Sequence, residues 1–391
     1  MMNWKNIKLG DAATFVNGYA FKPKDWSNSG KEIIRIQNLT GKGSDINFFQ
    51  GEIDEKYRVT NGDLLISWSA TLGIFEWAKE DAWLNQHIFK VVFNKKEFDK
   101  TFFKYLISSV IKFFEQRVHG STMKHITKGN FDAAIVPYPP IEEQKRIAMI
   151  LDKADALRQK NKQLLAAYDE LLQSTFLEMF GDPVTNPKGW DKSYLQNCYP
   201  SPKSGTKCGP FGSALKKHEY TDTGIPVWTM DNIQPNRFVD GKSLYISENK
   251  YDDLLGYKTE KNDVIISRAG TVGKMCIIPY DGKAIISTNL IRLRLNKNVL
   301  RPIYFTTLMS NWGPKVARLK TGRDDSFTHM NTGILNKIEL PIPPIRLQNQ
   351  FSQIVENIEA QKSILKQSIQ ESEDLFNGLV QKAFKGELNE Q

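Results

Sequence analysis

The sequence predicts an α+β protein written twice: a β-rich domain, a long helix, a second β-rich domain and a second long helix, related by an approximate two-fold. Three observations predict it. Two runs of about forty residues, almost free of Gly and Pro, each follow a proline pair. The segments before them share a series of landmarks in one order. The excess positive charge is confined to those segments.

The first domain, residues 1–140, opens on Trp4 and carries a β-rich stretch, I-I-R-I-Q-N-L, from Ile33. A turn and a buried strand follow, N-G-D-L-L-I-S from Asn61, then S-W-S-A-T-L-G to Gly73 and W-L-N-Q-H-I-F from Trp83. An amphipathic helix is expected from Thr101 to about Val118, then the polar loop H-G-S-T-M-K-H-I-T, a short strand and the exit V-P-Y-P-P-I-E-E-Q at Val136–Gln144. The second domain, 182–343, repeats this with Trp190, I-P-V-W-T-M-D-N-I from Ile225, K-N-D-V-I-I-S from Lys261, S-R-A-G-T-V-G to Gly273 and I-S-T-N-L-I-R from Ile286. These last strings align around Asn85 and Asn289. A helix from Arg301 to about Leu319, a polar loop and the exit L-P-I-P-P-I-R-L-Q at Leu340–Gln348 complete it. Asn38, Asn85, Asn232 and Asn289 recur at matching places, which favours turn or cap roles.

Each proline pair presets extended backbone and cannot continue a helix from within, so it marks a strand-to-helix junction. The first spacer helix, 141–181, places Ile147, Ile150, Ala154, Leu157, Leu164, Tyr168 and Leu171 on a heptad seam, with Asn161 as a polar register position. The second, 344–391 with the C-terminal tail, carries a less regular stripe of Phe351, Ile354, Ile358, Leu365, Leu375 and Leu379. Forty helical residues span about 60 Å. An exposed stripe of that length is unsatisfactory in water, and the short Gly181-Asp182-Pro183 link lets the second helix return antiparallel beside the first as a coiled coil.

Composition narrows the function. Residues 1–140 hold 19 Lys+Arg against 15 Asp+Glu and residues 181–343 hold 23 against 15, whereas both helical runs are slightly acidic. Positive charge gathered into two domains fits a polyanion partner. Solvated lysines on an ordinary basic protein are the plainer alternative. No stretch approaches the ~20 apolar residues of a membrane span, and the start lacks the apolar core of a signal peptide, so a cytoplasmic protein is expected. Cys198, Cys208 and Cys276 lack paired spacing, and His87, His119, His125, His218 and His329 are scattered, which argues against a disulfide framework or a metal site. No phosphate loop is present. Pro137-Tyr138-Pro139-Pro140 lacks the amide or carboxylate of an adenine methyltransferase loop, and the acid-rich piece at Glu52, Asp54 and Glu55 reads as a solvated loop. These residues suit a binder without a catalytic site.

The duplicated plan resembles the specificity subunit of type I DNA restriction–modification systems, the HsdS family. The resemblance spans the whole chain. It rests also on P-Y-P-P-I-E-E-Q-K-R-I-A from Pro137, F-L-E-M-F-G-D-P from Phe176, G-P-F-G-S-A-L from Gly209 and A-F-K-G-E-L from Ala383. One departure is Ile345-Arg346-Leu347, where the first junction has Ile141-Glu142-Glu143. The resemblance implies two target recognition domains, each reading half of a bipartite, asymmetric site in double-stranded DNA. It implies helices that hold the half-sites apart and dock two adenine methyltransferase (modification) subunits, with a motor–nuclease restriction subunit joining them. No cofactor is then expected in this chain, and S-adenosylmethionine, ATP and Mg belong to the partners. The competing readings are a self-contained methyltransferase or nuclease, and a scaffold unrelated to nucleic acid.

Residue type and loop position nominate DNA contacts. In the first domain these are Lys22, Lys24, Arg35, Gln37, Trp68, Ser69, Thr71, Lys124, His125 and Lys128. In the second they are Lys203, Lys207, Lys216, Lys217, Trp228, Arg268, Thr271, Lys274, Arg323 and His329. Core packing is the alternative for the two tryptophans, and solvated charge for each lysine. Arg268 and Lys274 stand out because they bracket a glycine-bearing turn after a buried strand.

Overall fold

The structure, a computed structural model, describes residues 4–41, 43, 45–117, 126–234, 237–241, 243–268, 273–312 and 330–388. Internal contacts divide the chain into two units, Met1–Gln163 with Gln367–Gln391, and Leu164–Lys366. Each unit holds one β-rich domain and half of each long helix. The division falls inside the helices because each domain's apolar core continues onto them.

In the first unit a four-stranded antiparallel sheet runs in the order Thr14–Asn17, Ile88–Val92, Leu64–Ser67, Gly73–Glu76. A second sheet runs Asn47–Phe49, Lys31–Ile34, Ala82–Leu84, Arg58–Val59, with its two central strands parallel. The strand Leu64–Ser67 is buried along its whole length, which is why it reads as an unbroken apolar run. Helix α1 (Lys100–Arg117) packs Phe102, Phe103, Leu106 and Ile107 into the core with Phe15, Phe89 and Phe131. Strand Lys5–Lys8 pairs with Ile135–Tyr138, so the chain's first strand holds the proline exit in place.

Helix α2 (Ile141–Phe180) starts at once after that exit and ends at Gly181, whose φ of +77° takes a conformation that favours glycine. Gln144, fully buried, fixes the junction: its Nε2 donates to Pro139 O at 2.9 Å, and its Oε1 accepts from the Asp99 N–H at 2.9 Å.

The second unit repeats the order with Thr206–Cys208, Leu290–Leu293, Val264–Ser267 and Met275–Ile277. Its other sheet runs Tyr220–Thr221, Leu244–Ile246, Ile225–Trp228, Ile285–Ile286 and again holds one parallel pair, here at its edge, Ile225–Trp228 with Ile285–Ile286. Helix α3 (Pro302–Asn311) is described for ten residues; the remainder of the helix expected to about Leu319 lies outside the described residues. Lys192–Tyr194 pairs with the exit strand Glu339–Pro341, and helix α4 (Ile345–Lys385) follows. Here Gln348, also fully buried, donates from Nε2 to Pro343 O (2.8 Å) and Val299 O (3.1 Å) and accepts from the Arg301 N–H (2.8 Å). The changed residues at Ile345-Arg346-Leu347 therefore leave the junction itself intact.

Within each unit the helix halves run antiparallel. In the first unit Arg158 and Lys162 pair with Glu373, Arg158 lies 4.1 Å from the Phe376 ring centroid, and Asn161 Nδ2 donates to Ser368 Oγ at 3.2 Å. In the second unit Lys362 pairs with Asp169, and Phe176 and Phe180 meet Phe351 and Tyr304.

The seam differs from the expected one by a residue at every second step. Ile147, Ala154, Asn161 and Tyr168 face inward, but Leu157, Leu164 and Leu171 are exposed and Ile150 is half-buried. The alternating places are taken by Leu151, which is buried, and by Arg158, Leu165 and Leu172, which are half-buried, four residues on where three was expected. The second helix shows the same shift. Phe351, Ile358 and Leu365 are buried and Leu379 half-buried, Leu375 is exposed, and Ile354 shares its burial with Val355. Adjacent apolar pairs such as Leu164–Leu165 satisfy either spacing, and Arg158 and Lys362 hold seam places that an apolar count passes over.

Candidate nucleic-acid interface

The two domains place one residue in the same backbone frame. In the first, the Trp68 N–H donates to His87 O (3.3 Å) and its carbonyl accepts from the Ile126 N–H (3.1 Å). In the second, the Arg268 N–H donates to Asn289 O (3.0 Å) and its carbonyl accepts from the Met330 N–H (3.0 Å). The neighbouring loop matches as well. Gly18 donates to Ile88 O and Gly209 to Leu290 O, and a Cβ on either glycine would lie about 2 Å from a carbonyl, that of Asn85 or of Ser287. These bonds, with the parallel pairs Ile34↔Leu84 and Trp228↔Ile286, set Asn85 opposite Ser287 and His87 opposite Asn289. The match of Asn85 with Asn289 is thereby corrected by two residues. Asn38 and Asn232 do correspond as caps, accepting from the Arg35 and Thr229 N–H groups.

Side chains on the shared frame differ. Trp68 stacks on Phe89 at 5.6 Å, meets His87 at 4.9 Å, and donates from Nε1 to Asn17 Oδ1. It is half-buried packing. Arg268 instead lies over the ring of Phe211, 4.6 Å from its centroid, and Phe211 is 54% exposed. The Nε and Nη1 of Arg268 are shut off from solvent and have no hydrogen-bond partner among the described residues.

The other nominees fall into four groups. Lys22 and Lys24 are exposed around the turn Pro23–Asp25, close in sequence to Trp26, which Arg35 covers at 5.3 Å while donating to Asn47 Oδ1. Lys203, Lys207, Lys216 and Lys217 are exposed, with Lys207 over Tyr257 at 4.9 Å. Lys128 is exposed and paired with Asp132. Gln37, Ser69, Thr71 and Lys274 are half-buried, and the carbonyl of Thr71 accepts from Ser67 Oγ. Trp228 is a correction: at 2% exposure, with Nε1 donating to Thr259 Oγ1, it belongs to the core, because its strand is covered on both faces. Lys124, His125, Thr271, Arg323 and His329 lie outside the described residues. Sequence reading passed over Trp26 and Phe211, the exposed rings beneath the two arginines. The one signal for Phe211 is its place in a glycine-flanked G-P-F-G string.

No group of three or more His, Cys, Asp or Glu that could hold a metal occurs among the described residues. No described helix is long and apolar enough to cross a membrane. Burial pushes the Cys198 thiol up to about 11 and the Cys276 thiol up to about 12.

A family model described as the type I restriction modification DNA specificity domain matches residues 1–167 and 211–373. The chain belongs to this family. Its two matched segments each contain most of one β-rich domain and part of a long helix, as a duplicated specificity subunit requires. Over 421 aligned residues it is 23% identical to the type I restriction enzyme EcoBI specificity subunit of Escherichia coli, covering 100% of this chain and 87% of that one. It is 20% identical to the MjaVIII specificity subunit of Methanocaldococcus jannaschii, over 91% and 86% of the two chains. The fold is that of solved specificity subunits. The S subunit from M. genitalium superposes with a TM-score of 0.56 at 16% identity, over 98% of this chain and 96% of that one. A structure described under complex assembly and conformational transition of the type I system gives 0.60 at 16% identity, over 98% of both. The specificity subunit is thus one component of a multisubunit type I system, the one concerned with DNA sequence.

Proposed function

We propose that this specificity subunit binds double-stranded DNA with both β-rich domains, each reading one half of a bipartite, asymmetric target, and has no catalysis of its own. The carrying observation is the shared backbone frame with unlike side chains, Trp68 in one domain and Arg268 in the other. Two copies of one frame give two readers, and different side chains give two different half-sites. The cytoplasmic partners would be two adenine methyltransferase subunits, with a restriction motor–nuclease joining them. S-adenosylmethionine, ATP and Mg would be theirs.

The test is co-expression with a type I modification subunit. A stable complex that methylates adenine at one bipartite sequence is expected, with no methylation by the isolated chain. Methylation or cleavage by the chain alone would establish the competing reading of a self-contained enzyme. Contact with phosphates makes log affinity fall linearly with log salt, by about 0.9 per neutralised phosphate. Affinity that ignores salt removes the duplex-binding reading.

A further inference from the structure

We infer that Arg268, which lies over Phe211, is a specificity-determining residue of the second domain, and that it reads a guanine in the second half-site. This rests on the DNA-recognition reading above. The backbone at residue 268 is fixed on both sides, its N–H donating to Asn289 O and its carbonyl accepting from the Met330 N–H. The loop that carries Phe211 is fixed as well: Gly209 donates to Leu290 O, and Thr288 Oγ1 donates to Pro210 O at 2.7 Å. Gly209 has no room for a side chain, so this loop is tied to one approach.

Between these two fixed points the guanidinium rests on a ring in place of a carboxylate. Stacking holds the plane of an arginine but uses none of its N–H groups, which all point along that plane. Ion pairing would have consumed them. Arg294 shows that alternative in the same domain, donating to both carboxylate oxygens of Asp263 at 2.8 and 2.7 Å. Arg35 of the first domain also lies over an exposed ring, but its Nη1 is engaged by Asn47. Arg268 has no acceptor among the described residues, although two of its nitrogens are removed from water. A cation left so is costly, and the deficit disappears when its N–H edge turns out to a planar pair of acceptors. Guanine offers such a pair, O6 and N7, on its major-groove edge. Phosphate can accept from any direction and needs no ring to hold the plane. An exposed phenylalanine beneath the arginine is therefore explained by base reading and not by charge neutralisation. The equivalent place in the first domain carries Trp68, which cannot make these bonds, so the guanine belongs to one half-site only.

The experiment selects bound duplexes from a random pool with the full chain, then repeats the selection with Arg268→Lys, Phe211→Leu and Phe211→Tyr, each first checked for native circular dichroism. The expected result is one guanine position whose preference drops by about tenfold or more in Arg268→Lys. The same position relaxes partly in Phe211→Leu and is retained in Phe211→Tyr, with the salt slope unchanged in all three. A uniform loss across sequences, with the salt slope reduced by about one, makes Arg268 a phosphate contact and overturns the inference. So does relaxation of different positions by the two residues, or of none. A wild-type chain that enriches no sequence at all removes the DNA-recognition reading, and this inference with it.

Discussion

Trp68 and Arg268 occupy one place in two copies of a domain, bonded through the backbone to partners at matching positions, and they do opposite things there. Trp68 turns inward on Phe89 and adds to the core, while Arg268 stays charged over an exposed ring. The difference separates two jobs. Main-chain bonds and buried strands set the frame, and the side chain at its open edge is free to be structural in one copy and a reader in the other. Where the frame relies on a side chain, both copies keep the same one, as Gln144 and Gln348 do.

Removing such a shared side chain is the severest way to break the comparison. Gln348→Ala strands the Arg301 N–H and two carbonyls in a buried junction, and about 3 kcal/mol of stability should be lost, read from urea midpoints. Gln144→Ala, with one carbonyl fewer to strand, should cost about 2 kcal/mol. If either change proves neutral, the junctions are not held by glutamine.

The unshared pair gives a sharper contrast. Trp68→Ala should cost about 2 kcal/mol through lost aromatic packing. Arg268→Ala should cost no stability, because it breaks no hydrogen bond or ion pair of that side chain among the described residues and removes two unpartnered nitrogens that are shut off from solvent. Equal losses in thermal melts would erase the distinction between packing and reading.

The last contrast is silent at neutral pH. Burial raises both the Cys198 and Cys276 thiols, and both lie in the second domain. Their contribution is whole below the ionisation of an unfolded thiol, about 8.5, and is lost as pH climbs toward about 11 and 12. Cys276→Ala should therefore flatten the alkaline decline of stability without altering its neutral value by more than about 1 kcal/mol. An alkaline limb that is unchanged in this variant would show that the thiol is not shielded.

Much of the fold is legible in the sequence because its signals are punctuation: the proline pairs, Gly181 and Gly386, and strands such as Val264–Ser267 that are apolar up to a closing serine. The equivalence of Trp68 with Arg268 is visible in S-W-S-A-T-L-G and S-R-A-G-T-V-G. The seam was less so, since Ile150–Leu151, Leu164–Leu165 and Leu171–Leu172 offer two apolar choices and only the partner helix decides between them. Trp228 and Phe211 mark the limit of reading aromatic residues by type. One is sealed by its sheet and the other is left outside under an arginine, and neither fate shows in the residue itself.

The junction glutamines carry a consequence for how such a protein changes over time. Among the described residues the Gln144 side chain hydrogen-bonds the Asp99 amide and the Pro139 carbonyl, and the Gln348 side chain the Arg301 amide and the Val299 and Pro343 carbonyls. Every one of these groups is main chain, so this clasp is indifferent to which amino acids the domain contains. A domain held that way can rewrite its outer surface without renegotiating this clasp, so long as it keeps the apolar residues that pack on the helices. The attachment point stays constant so that what it holds can vary.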